Sequence, residues 1–584
     1  MQVLLTTLNA KYIHSCLALY SLRRRCLDVC PGIAVREYTI NNEPLTVLGD
    51  IYRARPDVIG LACYIWNIDA LLDLAANLKK VLPAAAIVLG GPEVSYDPEA
   101  VLAANPAVDY VVRGEGEETL AAFLAALREG RQPDGIPGLA GRSGGSGVAG
   151  APQAVRDLAA LPFAYDDADM AALKDRIIYY ETSRGCPYSC SYCLSGAAGG
   201  VRYRPVDRVL AELAFFIAHG VRQVKFVDRT FNARRDHYRP ILEYLAAQDT
   251  KTNFHCEIAA DLLNEGDLAL LAAAPPGRFQ FEIGVQTTNP DALAAICRKN
   301  DWPRIVAAVG ALKAAGRSHL HLDLIAGLPK EDYRSFGRSF DAVYALKPDM
   351  LQLGFLKLLK GSAIRAQAAA HGYVFTDRAP YEVLANNYIS YSEIHRLKIL
   401  EELFDRIYNG GRLPATLAWL TAAWDGGPFA CYEALAAYWE RHDLHLVAHG
   451  GKNLARYLTA FCGEARPDLA ADCRQFLKFD YLDRERDAGR PDYLPWDGGD
   501  LEDAKNAFWR DEATIRRYLP AYAFTSWREV KKNHHLETFS LDIPAWLAGG
   551  PLKRRAVAVL FSRRPGDPPW QTVADQDFPR GRQP

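Results

Sequence analysis

The chain has 584 residues, of which 49% are hydrophobic, so it is too long for one core and holds enough apolar material for several. Lys and Arg number 68 against 70 Asp and Glu, which gives a formal charge of −2 at pH 7. This balance excludes a general electrostatic attraction to nucleic acid or to an anionic membrane surface.

Neither a membrane-spanning run nor a secretory signal is visible in the sequence. The apolar stretch at residues 413–424 is shorter than a bilayer span requires. The start, MQVLLTTLNAKY, lacks the charged region and the cleavage site of a signal peptide. Without such a signal, 12 cysteines predict reduced thiols and a cytoplasmic protein.

Residues 1–130 alternate short apolar strands with amphipathic helices. Strands are predicted at residues 3–5, 35–38, 58–62, 87–89 and 110–112. The alternation predicts a doubly wound, Rossmann-like parallel sheet, in which a ligand binds beyond the carboxyl ends of the strands. The polar, aromatic and glycine residues that follow those ends are Asn9, Tyr64, Trp66, Gly90, Gly91, Glu93, Gly114, Glu115 and Gly116. Taken alone, the GGPE and GEGE segments are equally typical of tight turns.

Residues 131–170 are predicted to be a linker that contains a short hairpin. Two short strands, at residues 138–142 and 148–149, flank a flexible SGGSG turn.

From residue 171 to 365 a strand–helix unit recurs about six times. Strands are predicted at residues 177–180, 223–227, 253–258, 279–283, 319–325 and 350–353. The helices between them are predicted at residues 207–219, 237–247, 261–274, 302–315 and 333–346. This pattern predicts a partial (β/α)6 barrel of the TIM type, whose active site lies at the carboxyl ends of the strands.

The segment IIYYETSRGCPYSCSYCLSGAAGG, residues 177–200, carries three cysteines in a glycine-rich loop after the first barrel strand. Cys186, Cys190 and Cys193 are spaced C-x3-C-x2-C, so their thiolates can converge on one metal centre. Three thiolates leave one iron of a cubane cluster without a protein ligand, and a small molecule can bind there. A structural zinc site would need a fourth ligand, and none follows within the loop.

This spacing, with an aromatic residue before the last cysteine, resembles the signature of the radical S-adenosylmethionine superfamily. The resemblance implies a [4Fe-4S] cluster on the three cysteines, S-adenosylmethionine on the fourth iron, and reductive cleavage to a 5′-deoxyadenosyl radical. In front of such a motif, residues 1–130 resemble the cobalamin-binding domain of one large subgroup. The glycines at the strand ends would then let a flat corrin approach the backbone, which a Cβ would obstruct.

The same resemblance assigns S-adenosylmethionine contacts to the carboxyl ends of the barrel strands. The residues at matching places are Tyr192, Asp228, Glu282, Gln286 and Gly327. Structural alternatives are a helix N-cap for Asp228 and a salt bridge for Glu282, because ion-pair networks imitate functional sites.

Several further barrel residues have less specific interpretations. His255 and Cys256 are expected in the core, and Cys297 is expected to be buried, the usual fate of a single cysteine. Glu257 and Asp323 are strand carboxylates that would suit the substrate side.

His14 is the one histidine near the position of a cobalt ligand. The corrinoid motif D-x-H-x-x-G is absent, because the loop reads NAKYIHS over residues 9–15. A role as cobalt ligand stays an alternative for His14, but we expect it to cap or pack, and we expect cobalamin to be bound without a protein imidazole below the cobalt.

Residues 366–567 are predicted to be mostly helical with a small β end, and they resemble an uncharacterised extension found on some cobalamin-type radical enzymes. Helical patterns cover residues 381–408 and 416–439, and strands are predicted at 538–541 and 556–561. The region would serve as a substrate lid or as a wrap around the open barrel. The Pro- and Arg-rich tail, residues 568–584, is expected to be disordered.

Together these features predict a cobalamin-dependent radical enzyme that methylates an unactivated carbon, with flavodoxin or ferredoxin as an external electron donor. Oxidative cyclisation and ring rearrangement are alternatives within the same superfamily. A corrinoid-binding sensor or carrier with a structural cluster is an alternative of another class. Methylthiolation of RNA is disfavoured, because the sequence has no second cysteine cluster and no basic RNA-binding appendage. No motif identifies the substrate.

Overall fold

The computed structural model describes residues 1–142, 151, 154–196, 200–446, 450–484, 489–497, 501–564 and 566–578. The chain divides into two compact units, Met1–Ile394 and His395–Pro584.

The first unit begins with a six-stranded sheet whose strand order is β2-β1-β3-β4-β5-β6. Strands β1 to β6 are Val3–Asn9, Ile33–Thr39, Val58–Ala62, Ala86–Gly90, Tyr110–Val112 and Leu139–Gly141. The connecting helices α1 to α5 are Leu17–Cys26, Pro44–Ala54, Ile68–Val81, Pro98–Ala104 and Glu117–Arg128. β1 to β5 are parallel, and β6 pairs antiparallel with β5.

Both faces of this sheet are buried, because successive residues of its strands supply two separate cores. Leu4 packs in one core with residues of α2, α3 and α4. Leu5 packs in the other core with residues of α1 and α5. This arrangement confirms the predicted doubly wound sheet.

The first predicted strand of the linker contributes to this sheet. Leu139–Gly141 is β6, held by its pairing with Tyr110–Val112 at the sheet edge. The expected second strand, residues 148–149, lies outside the described residues.

A second six-stranded sheet, all parallel, has the order β14-β13-β12-β11-β10-β7. Its strands β7, β10, β11, β12, β13 and β14 are Ile178–Tyr180, Gln223–Phe226, Asn253–Glu257, Phe279–Gln286, His319–Ala326 and Met350–Phe355. Two short strands between them, β8 at Ser183–Gly185 and β9 at Val201–Tyr203, pair antiparallel. Helices α6 to α13 are Asp167–Ala172, Val206–Ala218, Arg235–Ala247, Glu265–Ala273, Pro290–Ala295, Trp302–Ala315, Tyr333–Tyr344 and Ala363–Ala366. The parallel order confirms the partial barrel.

The barrel sheet is apolar outside and polar inside. Along β12 the side chains alternate strictly between buried and half-buried. Phe279 and Phe281 are buried, whereas Gln280 and Glu282 between them are half-buried and polar. A strand that packs helices on one face and borders the barrel interior on the other has this alternation.

The helix predicted from residue 261 begins later, at Glu265. Residues Ala260–Leu262 form a 3₁₀ turn, and Asn264 caps α9 by accepting a hydrogen bond from the backbone N–H of Asp267 at 3.0 Å. Asp267 in turn accepts from the N–H of Asn264, so this capping box fixes the start of the helix.

The remaining strands and helices follow the barrel. β15 (Val374–Phe375) and β16 (Val383–Ala385) pair antiparallel. Helices α14 to α22 are Tyr391–Phe404, Pro414–Ala423, Gly427–Arg441, Gly451–Ala465, Ala470–Arg484, Glu502–Arg510, Glu512–Tyr518, Trp527–Asn533 and Ile543–Leu547. β17 (His534–Phe539), β18 (Val557–Ser562) and β19 (Trp570–Val573) form an antiparallel sheet in the second unit.

Three expectations for this region were wrong. The pattern at residues 381–408 contains strand β16 before its helix begins at Tyr391. The pattern at 416–439 is two helices, because Gly426 and Gly427 adopt φ of 88° and 87° and interrupt the helix between them. The tail is ordered as far as the structure describes it, because β19 pairs with β18 and Phe578 is buried in the core of that sheet.

No helix among the described residues combines the length and the hydropathy that crossing a bilayer demands.

Candidate functional site

The three-cysteine loop runs between the two strands of the short hairpin β8–β9. Cys186 lies with its Sγ 3.6 Å from Thr230 Oγ1. Cys193 Sγ accepts a hydrogen bond from the backbone N–H of Ser195 at 3.4 Å. Cys190 is buried, and its Sγ lies 3.7 Å from Arg298 Nη1. All three thiols are free.

Two glycines of this loop are required by close backbone contacts. A Cβ at Gly185, whose φ is +107°, would lie 2.3 Å from the carbonyl oxygen of Gly200. A Cβ at Gly196 would lie 2.2 Å from the carbonyl oxygen of Tyr188. The glycines therefore set the path of the chain around the thiols.

The donor set of three free thiols in one loop suits an iron–sulfur cluster. Within the described residues, no three His, Cys, Asp or Glu side chains converge as the ligands of one metal ion would. A cubane cluster has a wider ligand spacing, because each of the three thiolates binds a different iron.

A cavity of about 930 Å³ lies between the carboxyl edge of the N-terminal sheet and the barrel. Its lining contains all nine residues predicted to follow the strand ends: Asn9, Tyr64, Trp66, Gly90, Gly91, Glu93, Gly114, Glu115 and Gly116. From the loop and the barrel come Gly185, Leu194, Ser195, Lys225, Arg229 and Glu257. A single cavity thus borders both predicted cofactor regions.

The aromatic pair after β3 forms a flat wall of this cavity. The rings of Tyr64 and Trp66 are stacked, with centroids 4.5 Å apart and planes 3° from parallel. Trp66 donates its Nε1–H to the carbonyl of Leu8 at 3.1 Å, yet 46% of the residue is exposed. A planar macrocycle fits against such a surface.

The two positions at the end of β4 differ in whether the protein itself requires a glycine there. A Cβ at Gly91, where φ is +108°, would lie 2.4 Å from the carbonyl oxygen of Cys63, so the chain itself requires this glycine. A Cβ at Gly90 would meet only Val112, at an ordinary 3.8 Å. The contacts within the protein therefore explain the glycine at position 91 but not the glycine at position 90, where a Cβ would fit.

The glutamates of GGPE and GEGE bind protein cations. Glu93 is buried, accepts from Lys360 Nζ at 2.9 Å and accepts from the hydroxyl of Tyr381. Glu115 accepts from Arg184 at 3.0 Å and from Arg202. Burial alone would raise the pKa of Glu115, but the hydrogen bond from Arg202 and the charge of Arg184 hold it below its usual value.

His14 packs against the barrel, as expected, and also borders the cavity. Its Nδ1 lies 2.8 Å from the hydroxyl of Tyr179. Burial, together with the charges of Lys11, Lys225 and Arg176, lowers its pKa, so the ring is neutral at pH 7. Asn9 is also engaged, since its Nδ2 donates to the carbonyl of His14 at 3.2 Å.

Asp228 holds the chain that leads into the cysteine loop. Its carboxylate is fully buried and accepts from the N–H of Thr182 at 3.0 Å, from the Thr182 hydroxyl at 2.5 Å and from the Ser183 hydroxyl at 2.6 Å. Burial raises its pKa to about 6. These bonds engage both carboxylate oxygens within the protein, which is a different role from contact with an ammonium group.

Glu282 is part of a polar layer inside the barrel. It accepts from Lys225 at 3.0 Å and lies 3.1 Å from His255 Nε2. Burial alone would raise its pKa, but the hydrogen bonds from His255 and Lys225 lower it to about 2. Glu282 thus makes the salt bridge that the sequence analysis gave as the alternative to a cofactor contact. In the same layer His321 lies 3.1 Å from Asp323.

Gly327 is packed by the protein. Its φ is +87°, and a Cβ would lie 2.7 Å from Val383 of β16. Its carbonyl accepts from Tyr373 at 2.9 Å and from Asn386 at 3.0 Å. Glycine is required at this position by the nearby side chain of Val383, and a ligand is not needed to explain it.

Tyr192 contacts Arg298, a residue that the sequence did not suggest, and the side chains of Gln286 and Arg298 both approach Gly284. Arg298 donates to the hydroxyl of Tyr192 at 3.3 Å and to the carbonyl of Gly284. Gln286 has a φ of +69° at a bulge of β12, and its buried Oε1 has no hydrogen-bond partner in the described structure. Arg298 is 108 residues from Cys190 in sequence, so no local motif identifies it.

Glu257 is the carboxylate of the barrel that faces the cavity without a protein partner. It neighbours Glu282 in register at the end of β11, and its side chain makes no hydrogen bond to any described residue. Burial raises its pKa to about 7. The adjacent Cys256 is buried in the core, as expected, whereas Cys297 is exposed and not buried as expected.

A doubly wound sheet, an open parallel barrel and a three-cysteine loop beside one cavity form the arrangement expected of a radical S-adenosylmethionine domain next to a corrinoid-type domain. The family models that match give the same assignment. Residues 5–124 match the B12 binding domain, residues 180–343 match the radical SAM superfamily, and residues 369–561 match a protein of unknown function, DUF4080. The chain therefore carries a radical SAM domain behind an N-terminal B12-binding domain.

Similar proteins share these two domains. The cobalamin-dependent radical SAM methyltransferase TokK of Streptomyces tokunonensis is 30% identical over 305 residues, which is 48% of this chain and 44% of that protein. The solved structure of the methyltransferase TsrM from Kitasatospora setae superposes with a TM-score of 0.54, 20% identity and coverage of 64% of this chain and 77% of that one. OxsB, a cobalamin-dependent S-adenosylmethionine radical enzyme, superposes with a TM-score of 0.59, 14% identity and coverage of 82% and 84%.

The chain spans less than half the length of TokK, so this likeness does not extend to the whole of either protein. The two solved structures are below 25% identity and establish the fold.

Proposed function

We propose that this chain is a cobalamin-dependent radical S-adenosylmethionine enzyme that methylates an unactivated carbon of its substrate. The observation that carries the proposal is the single cavity shared by the cysteine-loop hairpin and the strand ends of the B12-binding domain. When bound, the cluster and S-adenosylmethionine supply a carbon-centred radical, and cobalamin supplies a transferable methyl group. The likeness to TokK, a cobalamin-dependent radical SAM methyltransferase, supports the same reaction class.

Cys186, Cys190 and Cys193 would hold the cluster and leave one iron open. A methionyl group bound at this iron would need a cation for its carboxylate near the loop. Arg298 would supply a half-buried cation, 3.7 Å from Cys190 Sγ, and the unpartnered Oε1 of Gln286 would supply an acceptor. These contacts favour Arg298 and Gln286 as groups that orient the methionyl moiety.

Glu257 is a better candidate for the methionyl ammonium than Asp228 or Glu282. The latter two carboxylates are already satisfied by protein donors. Glu257 faces the cavity, and its pKa, raised to about 7, falls when a cation binds beside it. An arriving ammonium would therefore be held by a charge-assisted hydrogen bond.

The wall of Tyr64 and Trp66 and the open backbone at Gly90 would receive the corrin face. His14 has its Nδ1 against Tyr179 and a lowered pKa, which supports a packing role. We propose that the corrinoid binds here without a protein imidazole below the cobalt, and that a low-potential donor such as flavodoxin or ferredoxin reduces the cluster.

The test is anaerobic reconstitution with iron, sulfide and hydroxocobalamin, followed by reduction in the presence of S-adenosylmethionine labelled with deuterium in its methyl group. We expect about four irons per chain, bound cobalamin, and release of 5′-deoxyadenosine. Deuterated methyl in a product from a cell extract of small molecules would support methylation. Product without the label would favour cyclisation or rearrangement, and a reducible cluster that never cleaves S-adenosylmethionine would favour a sensor or carrier.

A further inference from the structure

The cysteine loop is closed by a two-stranded stem that carries one arginine on each strand. Arg184 on β8 precedes Cys186 by two residues, and Arg202 on β9 follows the loop. The two arginines face each other in the register of the hairpin. Any movement of the loop as a body must therefore move both guanidinium groups.

Both arginines bind Glu115, which belongs to the loop after β5 of the B12-binding domain. Arg184 Nη1 lies 3.0 Å from Glu115 Oε2, and Arg202 Nη1 lies 3.0 Å from the same oxygen. A second bond from Arg202 reaches Glu115 Oε1. Glu115 also accepts from the backbone N–H of Val155 at 2.7 Å. The single carboxylate thus joins both strands of the stem to the edge of the corrinoid-type sheet.

Two more carboxylates complete the cluster. Arg184 donates to Glu117 at 2.9 Å, at the start of α5, and to Glu181 at 2.8 and 2.9 Å. The five side chains are between 7% and 24% exposed, so solvent screens these pairs less than surface pairs. Bidentate arginine–carboxylate contacts of this kind fix direction as well as distance.

Glu115 lies between two glycines, and Gly114 has a φ of +69°. This short backbone lines the cavity, and the flanking glycines leave it many accessible conformations, so the bonds of Glu115 help to fix its position. A cluster bound in the cysteine loop would restrain the stem and its two arginines in this position. They would then fix the GEGE backbone in the position that borders the cavity.

We propose that Glu115, Arg184 and Arg202 form a clamp that couples the two cofactor sites, so that filling either site raises the affinity of the other. The inference rests on the proposed function, because it needs a cluster in the loop and a corrinoid in the cavity. Arg184 and Arg202 would act as positioning residues, because they hold Glu115 and through it the backbone that borders the cavity. The coupling must be reciprocal, since it is a single free energy between two binding equilibria.

The experiment measures the dissociation constant of hydroxocobalamin by visible absorption for cluster-free and cluster-loaded protein. We expect the loaded form to bind about fivefold or more tightly, the lower end of ordinary coupling between sites. The readout is the ratio of the dissociation constant of the cluster-free form to that of the cluster-loaded form. In Glu115→Gln and in Arg202→Gln this ratio should fall to about twofold or less, with iron and sulfide content unchanged. The ratio is the readout because a direct contact of either residue with the corrinoid would change both constants alike.

Arg23→Gln is the matched control, because Arg23 bonds Asp169 at 2.9 Å in another ion pair of the same unit and does not line the cavity. It should keep the wild-type ratio. Equal constants for the two wild-type forms, or an unchanged ratio in Arg202→Gln, would overturn the coupling alone. If neither form binds hydroxocobalamin, the proposed function fails first. Should Glu115→Gln not fold, Arg202→Gln decides the matter.

Discussion

The two parallel sheets of the first unit have opposite distributions of polar residues. The N-terminal sheet is apolar on both faces, and its polar residues collect at the carboxyl ends of the strands. The barrel sheet is apolar on its outer face only, and polar side chains line its interior along the whole length of the strands. In the first sheet, position at a strand end is enough to bring a residue to the cavity.

In the barrel, position on a strand does not decide the role, because inward carboxylates compete for inward cations. Glu257 and Glu282 are register neighbours on β11 and β12. Glu282 is paired with Lys225 and His255, which lower its pKa to about 2 although burial alone would raise it. Glu257 has no such partner among the described residues, and burial raises its pKa to about 7. A carboxylate that is free to bind a ligand is therefore recognised by its lack of protein partners.

The largest expected effect concerns the loop that joins the two sheets. Changing Cys186, Cys190 and Cys193 together to Ala should abolish cluster binding and all reductive cleavage of S-adenosylmethionine, because no other thiols lie in the loop. Iron and sulfide analysis with 5′-deoxyadenosine quantification checks this. Cys297→Ser, at an exposed thiol outside the loop, is the control and should behave as the wild type. Retention of full iron by the triple variant would contradict the assignment.

The register neighbours give the next largest effect. Glu257→Gln should weaken S-adenosylmethionine binding about ten- to hundredfold, the loss of one charge-assisted hydrogen bond of about 1.5–3 kcal/mol, and should leave thermal stability intact. Equilibrium binding to the cluster-loaded protein measures this.

Glu282→Gln is the matched variant with the reverse expectation. It removes an acceptor of Lys225 and His255, so it should lower stability by about 1–3 kcal/mol and change S-adenosylmethionine affinity little. Denaturant unfolding checks the stability. If Glu282→Gln weakens cofactor binding and Glu257→Gln does not, the roles assigned to the two carboxylates are reversed.

A smaller effect separates the two glycines of the first sheet. Gly91→Ala should destabilise the protein by about 1–3 kcal/mol, because the new Cβ meets the Cys63 carbonyl at 2.4 Å and the backbone is left-handed. Gly90→Ala should leave stability within about 0.5 kcal/mol and weaken hydroxocobalamin binding instead. Unfolding curves and absorption titrations of the two variants distinguish these outcomes. Unchanged corrinoid affinity in Gly90→Ala would mean that the corrin lies elsewhere.

The smallest effect is a pH dependence of the cofactor-free protein. Glu257 titrates at about 7 when folded against an ordinary 4.5, so between these values the folded state holds a proton that the unfolded state has lost. The free energy of unfolding therefore falls as pH rises through this window, by at most about 1.4 kcal/mol per pH unit from this group.

Asp228, Glu331 and Asp480, with pKa values raised to about 6, 7 and 7, contribute the same sign. The measurement is therefore the difference in the free energy of unfolding between the wild type and Glu257→Gln. Chemical unfolding at several pH values from about 4.5 to about 7.5 gives this difference. The variant should have the shallower slope. Glu282 contributes the opposite sign, since its stabilisation is present above pH 4.5 and is lost as pH falls towards 2. Identical slopes in the two proteins would show that the pKa of Glu257 is not raised in the folded protein.

Within the cofactor domains, the sequence by itself determined the two parallel sheets and the cysteine loop, because periodicity and cysteine spacing are local properties of the chain. It also determined which residues follow the strand ends of the N-terminal sheet. Because the strands are parallel, all of these ends lie at one edge of the sheet. Only the tertiary structure decided which carboxylates are used by the protein. Asp228 is occupied by Thr182 and Ser183, and Glu115 by two arginines of the cysteine-loop stem. Arg298 reaches Cys190 across 108 residues. Such pairings depend on distances between segments that are remote in sequence, and no local pattern specifies them.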